Sequence, residues 1–340
     1  MNTLVWQVRS RAELLFEQPM AWTVMTGIAF VVAAAFATTQ GAVDLSVLQL
    51  PASIADEDHP FHRVIWDVRL PRVACGTLVG LDLALAGALL QTTVRNPLAD
   101  PGILGVTAGA GVGALFVILF LPGQGDLVPW AGFLGALGTI VVLLGLAATK
   151  DGQTGALRIV LSGVALQSLL FAVISLMTYV YADRAPAFTA YVVGSLNGLG
   201  WIDFQRMILP TAIGLVAVVA YQRTLNLLLL DDSAASGVGV PVVRARLGAA
   251  VVAALLTAGA VSAAGLIGFV GLVVPNAIRL LVGPEHRALL PATALGGSAL
   301  VITADLIART LLTPLELPVG ALLSMVGGPY FLYLLWKKMP

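Results

Sequence analysis

The sequence predicts an all-α, polytopic membrane protein of about ten transmembrane helices, some of them interrupted. Three observations carry this reading. Of 340 residues, 59% are hydrophobic and only 11% are charged, against about 25% charge in ordinary soluble domains. The mean hydropathy is +0.95, and a soluble fold this apolar has nothing with which to cover its surface. Apolar runs recur along the whole chain, beginning with an uncharged run over residues 21–39 that is long enough to cross a hydrocarbon layer about 30 Å thick. Several of these runs are broken by proline and glycine rather than by polar loops.

Residues 1–20 mix Arg9, Arg11, Glu13 and Glu17 with apolar positions and read as a segment preceding one membrane domain, 21–336. No small-residue cleavage site follows the first run, so it reads as a retained span. Residues 40–70 are polar, with an acidic cluster at 56–58, and read as an extramembrane loop. The second span, 73–94, carries Asp82. An ionisable side chain at this depth costs about 2.5–3.5 kcal/mol on insertion scales, so Asp82 is expected to face protein or water, by lining the path or, in preference, by pairing with a neighbouring helix or capping local polar groups.

Residues 95–106, RNPLADPGILGV, cannot form continuous helix. Pro97 and Pro101 each remove a donor and clash with the preceding turn. Irregular backbone at membrane depth is tolerated only where protein or a water-filled cavity surrounds it, so this break is expected to line a pathway. Further runs cover 106–121, 127–149 and 158–181, separated by turns at 122–126 and 150–152 and ended by residues 183–186. Residues 186–204 read as short interfacial helix and loop, 207–221 as a short sixth span, and 223–246 as a long polar loop. Span 247–264 is interrupted at Gly265 and Gly268, and 271–282 is too short to cross alone and holds Pro275. Spans 288–312, with Asp305 and Arg309, and 318–336 follow, before a short tail, 337–340.

Ten crossings put both termini on one side. That side then holds twelve of the eighteen Lys and Arg, and the other holds Arg63, Arg69, Arg72, Arg184, Arg206 and Arg309. The bias places both termini in the cytoplasm. The two halves echo each other, each with a long span followed by a Gly/Pro-interrupted segment bearing an arginine (95–106 and 265–279). Paired interruptions point to a transporter built from two repeats.

Several chemistries are excluded. The three lysines, Lys150, Lys337 and Lys338, lie outside any Gly-Lys-Ser/Thr phosphate loop, so the chain cannot hydrolyse ATP by itself. A single cysteine, Cys75, excludes an intrachain disulfide and a multi-cysteine metal site. His59 and His62 share a loop and read as solvated residues rather than metal ligands. No Ser/His/Asp or HExxH arrangement lies on a span. Zero net charge supplies no basic field for nucleic acid.

The dispersed motifs are more specific. Arg69-Leu-Pro-Arg72, Gly87, Gln91 and Arg95-Asn-Pro-Leu-Ala occur in order with Leu161-Ser-Gly163, Gly194-Ser-Leu and Leu225-Asn-Leu. Gly268-Phe-Val-Gly-Leu-Val-Val-Pro275, Arg279, His286-Arg287, Ala304-Asp305, Arg309 and Glu316-Leu-Pro-Val-Gly320 complete the set. Over residues 60–336 the chain resembles the permease subunits of type II ABC importers for iron–siderophores, haem and cobalamin, the FecCD-like family.

That resemblance implies a permease that performs no covalent chemistry and moves a metal chelate by alternating access, a ferric siderophore first, haem or cobalamin next. It implies a second permease subunit, most simply a homodimer, in a bacterial inner membrane. Two cytoplasmic ATPase subunits would carry ATP and Mg, with no cofactor on this chain, and a periplasmic or lipid-anchored binding protein would deliver the ligand. By position, Asn96 and Leu98 match the inner gate, and Ala156 and Leu157 match its partner, where a relative has hydroxyl residues. Arg69, Arg72 and Arg309 match arginines that dock the binding protein. Residues 225–240, including Leu225, Asn226, Leu227, Asp231, Asp232, Ala235 and Gly239, match the segment that docks in the ATPase. Asn276 stands where the family carries His, which removes a titratable group. The alternative is a stand-alone ion- or proton-coupled secondary transporter, whose ionisable candidates inside the spans would be Asp82 and Asp305.

Overall fold

A segment in lipid must satisfy its own backbone, so each apolar run becomes a helix. The computed structural model describes residues 19–41, 50–147, 156–181, 191–313 and 315–338. The N-terminal segment up to residue 18 and the turns expected at 150–152 and 183–186 lie outside the described residues. Helix α1 spans Pro19–Thr39, and a short α2, Leu50–Ala55, follows in the polar segment. Helix α3 is Leu70–Val94, α4 is Val106–Phe120, α5 is Val128–Ala147 and α6 is Ala156–Val180. Helix α7 is Trp201–Leu227, α8 is Asp232–Gly237 and α9 is Val242–Ala264. Helix α10 is Val270–Val282, α11 is His286–Thr310 and α12 is Val319–Lys338. Among the described residues, seven helices are long and apolar enough to span a membrane, and α4, α10 and α12 are the three shorter apolar ones. In order, these ten match the ten apolar runs of the sequence.

Three boundaries differ from expectation. The loop expected over 40–70 ends early, because six π-helical residues, Val64–Arg69, lead straight into α3. The change of winding falls at Pro71, whose missing N–H a regular ladder would require. The sixth span, expected over 207–221, is the 27-residue α7. Its ends carry Asp203, Gln205, Arg206, Gln222 and Arg223, which hydropathy reads as loop although the helix continues past the apolar core. The loop expected over 223–246 correspondingly shrinks to the residues between α7 and α9, with α8 inside it.

Helices α3 and α9 are the most buried spans and pack against each other. Helix α3 also packs on α11 and α10, while α4 and α5 pack together and α9 touches both. Glycines permit the tightest crossings. A Cβ on Gly80 would collide with the Gly297 carbonyl, and one on Gly87 with the Gly271 backbone, the small-residue contact that brings membrane helices close. Asp82 is fully buried and accepts a 2.7 Å hydrogen bond from the Thr211 hydroxyl of α7, the neighbouring-helix partner expected for it. Helices α6 and α12 leave long apolar faces exposed, with Leu161, Leu176, Tyr179, Met325 and Trp336 outward.

Candidate functional site

The two interruptions meet in space. Segment 95–105 joins α3 to α4, and 265–269 joins α9 to α10. Both line one cavity of about 330 Å³, through Asp100, Gly102 and Ile103 on one side and Leu266, Gly268 and Phe269 on the other. Gln167 and Phe171 of α6 and Ala321 and Ser324 of α12 close its flank. Arg95 (φ 52°) and Phe269 (φ 67°) are the only non-glycine residues with positive φ among the described residues. One stands at the start of the first break and one at the end of the second. Such backbone costs roughly 1–3 kcal/mol per residue and persists only where surroundings impose it.

The irregular backbone is satisfied by other irregular backbone, as a lipid-embedded protein requires. Leu266 N–H donates to the Tyr191 carbonyl at 3.0 Å, Ser195 N–H to Ala264 at 2.9 Å and Gly320 N–H to Gly194 at 3.0 Å. Within the first break, Asn96 Oδ1 accepts from Leu98 N–H at 2.9 Å, and Asp100 Oδ1 from Gly102 N–H at 2.7 Å. Three side chains then fasten this loop and the end of α3 to α10. Gln91 Nε2 donates to the Gly271 carbonyl at 3.1 Å, and Asn276 Nδ2 to the Pro97 carbonyl at 2.7 Å. The Leu272 N–H also reaches the Asp100 carboxylate. Asn276, which by sequence only loses a titratable group, is in fact the clamp on the loop. Asp100, Gln91 and Asn276 were legible as loop or motif residues, but nothing local marks them as partners.

Of the expected gate residues, Asn96 is turned into its own loop and Leu98 is partly exposed beside it. Ala156 and Leu157 begin α6, but their side chains lie outside the described residues. The expected coupling residues divide. Leu225 and Ala235 are buried. Asn226 Oδ1 accepts from the His286 backbone N–H at 2.8 Å and pairs with His286 Nδ1 at 2.9 Å, while Leu227 ends α7 half-buried. Asp231, Asp232 and Gly239 (φ 85°) are exposed, beside the outward apolar residues Leu229, Leu230 and Val238. Arg95 ties the break to this segment, donating to the Leu230 carbonyl and pairing with Asp232 at 2.8 Å, which Arg246 also meets at 2.8 Å.

At the opposite end lie Arg69, Arg72 and Arg309, the arginines expected to dock a binding protein, with their side chains largely buried. The Arg72 fork holds Asp305 at 2.8 and 3.0 Å and Glu316 at 2.9 Å. Arg69 Nη1 donates to the carbonyls of Thr38 at 3.0 Å and Thr39 at 2.7 Å, and Arg309 to that of Ala37. The C-terminal carbonyls of α1 have no partner within their own helix, and the two guanidiniums satisfy them. Asp305 and the end of α1 lie under the arginines, which no sequence spacing reveals. Nearby, Trp201 Nε1 donates to the Trp66 carbonyl at 2.8 Å. His59 and His62 take separate local partners, Phe61 N–H and the Ser53 carbonyl.

Comparison with known proteins places this architecture. Residues 28–337 match the FecCD transport family. A cobalamin import system permease protein, BtuC, of Halobacterium salinarum is 43% identical over 80% of this chain and 73% of its own length. A hemin transport system permease protein, HmuU, of Yersinia pestis is 40% identical over 92% of this chain and 94% of its own. A solved structure of a metal-chelate type ABC transporter in an inward-facing conformation superposes with a TM-score of 0.78 at 30% identity, covering 93% of this chain and 98% of that one. The broken helices, their shared cavity and these likenesses lead to one conclusion: the chain belongs to the FecCD transport family and is a membrane-spanning permease subunit of an ABC importer.

Proposed function

We propose that two copies of this chain enclose a pathway for a metal chelate in a bacterial inner membrane, with both termini cytoplasmic. The observation that carries this reading is the convergence of two interrupted segments on one cavity, with an exposed segment clipped to one of them by Arg95. The outward apolar faces of α6 and α12 flank that cavity, and a second copy would cover them. Asp231, Asp232 and the exposed Leu229, Leu230 and Val238 would sit against a cytoplasmic ATPase, which supplies ATP and Mg. This chain binds no cofactor of its own. A periplasmic or lipid-anchored binding protein delivers cargo at the end that carries Arg69, Arg72 and Arg309. The cargo is a ferric siderophore, haem or a corrinoid. A cobalamin and a hemin permease among the relatives put a macrocyclic chelate level with the siderophore.

The mechanism is alternating access. ATP-driven movement of residues 228–241 is transmitted through Arg95 to the loop carrying Asn96 and Leu98, which opens or closes the inner end. Reconstitution tests it: proteoliposomes containing the chain, its cognate ATPase and its binding protein should accumulate chelate only with ATP. Uptake that follows an ion gradient without the ATPase would refute the reading. In the same system, Leu98→Ala should assemble normally and raise ATP-independent leak. Leak equal to that of the parent removes Leu98 from the gate.

A further inference from the structure

We propose that the pocket between the Arg95 loop and the segment after α7 receives a carboxylate side chain of the ATPase subunit, held by Arg279. The inference rests on the importer reading above and adds a specific contact to it. The pocket measures about 290 Å³ and is walled by Thr92, Arg95, Asn96, Leu229, Arg279 and His286, among others, with no acidic residue in its lining. Arg279 carries five N–H donors and, among the described residues, makes one hydrogen bond, from Nη1 to Asn276 Oδ1 at a long 3.3 Å. Arg72, by contrast, is met by two carboxylates at 2.8–2.9 Å.

The other groups in the pocket are already used. His286 is buried, with Nδ1 on Asn226 at 2.9 Å and Nε2 on Thr92 at 2.8 Å. Arg95 spends its guanidinium on Asp232 and the Leu230 carbonyl. A half-buried guanidinium with idle donors is costly until an anion completes it, and its planar fork fits a carboxylate. The pocket's rim identifies the source. Leu228 and Leu229 form part of the wall, the Leu230 carbonyl accepts from Arg95 beside it, and Leu229 and Leu230 stand exposed. A carboxylate on a protein surface would bury that apolar rim as it entered, which a free phosphate or a lipid headgroup would not do.

Occupancy would also be felt at the break. Arg279 holds Asn276, and Asn276 Nδ2 holds the Pro97 carbonyl at 2.7 Å. An anion drawing on Arg279 therefore acts one side chain away from the loop that carries Asn96 and Leu98.

The test measures affinity of the permease, in lipid nanodiscs, for its cognate ATPase as a function of salt. Arg279→Gln should weaken binding about thirtyfold or more and flatten the salt dependence, with Arg279→Lys intermediate. Pairing Arg279→Glu with a lysine at one acidic position of the ATPase should recover affinity. Size and thermal unfolding of each variant report folding, and the lysine variant, which keeps the charge, carries the test should the glutamine variant not fold. Unchanged affinity and salt dependence in both variants would overturn the inference. So would Arg279-dependent binding of inorganic phosphate, or of vesicles rich in anionic lipid, with ATPase affinity intact. Failure of the unaltered chain to bind the ATPase at all would instead overturn the importer assembly, a separable outcome.

Discussion

At one end of the bundle, Arg69, Arg72 and Arg309 lie almost wholly inside the protein, Arg72 met by Asp305 and Glu316, and Arg69 and Arg309 by the last carbonyls of α1. At the other, Arg95 keeps 35% of its side chain exposed and shares Asp232, itself 53% exposed, with Arg246, while Arg279 meets no acid in its pocket. The same residue type serves two purposes. Buried guanidiniums bonded across helices lock α1, α3 and α11 together and cannot move cheaply, because separating them would leave charges uncompensated in a low-dielectric interior. Half-exposed guanidiniums with shared or missing partners cost little to rearrange. The first end is built to hold its shape, and the second is built to respond to what docks on it.

The largest effect should come from the buried end. Asp305→Ala leaves Arg72 and Arg309 buried with one acid fewer and should cost about 3–5 kcal/mol, read as a large fall in the thermal midpoint of the purified protein. A loss below about 1 kcal/mol would break the contrast. Glu316→Gln removes the partner of Arg72 whose side chain is 36% exposed and should cost about 1 kcal/mol, so the ratio of the two losses grades the end by burial. The smallest stability change belongs to the responsive end. Arg95→Gly keeps the left-handed backbone that Arg95 holds at φ 52° and deletes only the side chain. Stability should fall by less than about 1 kcal/mol, and added salt should erase the difference, since exposed pairs are screened. ATP consumed per chelate delivered should nevertheless rise, because the link from Asp232 to the loop is gone. An Arg95→Gly protein as unstable as Asp305→Ala would show that the two ends are alike after all.

Much of the fold was legible because its determinants are local. Apolar length decides which runs become spans, and that reading placed α1, α5, α6, α11 and α12 within a few residues. Pro97, Pro101 and Gly105 announce the first break, and Gly265, Gly268 and Pro275 the second. Local reading erred where a helix outlasts its apolar stretch, as α7 does at Trp201–Leu227: hydropathy measures the membrane, and backbone hydrogen bonding does not stop at its edge. The functional residues were recognisable as types and by their resemblance to a family, but not as pairs. Asp82 finds Thr211 across 129 residues, Pro97 finds Asn276 across 179, and Arg72 finds Asp305 across 233.

By itself the sequence determined that this chain is a membrane protein of about ten apolar helices and where those helices must break, since each follows from the chemistry of neighbouring residues. Only the tertiary structure decided that both breaks line a single cavity, that Arg69, Arg72 and Arg309 bond across helices, and that Arg279 lines a pocket without an acidic residue. Those outcomes depend on which distant side chains the packing of α3, α9, α10 and α11 brings within hydrogen-bond reach. In a single sequence, a guanidinium that will be saturated and one that will wait for a partner are the same residue.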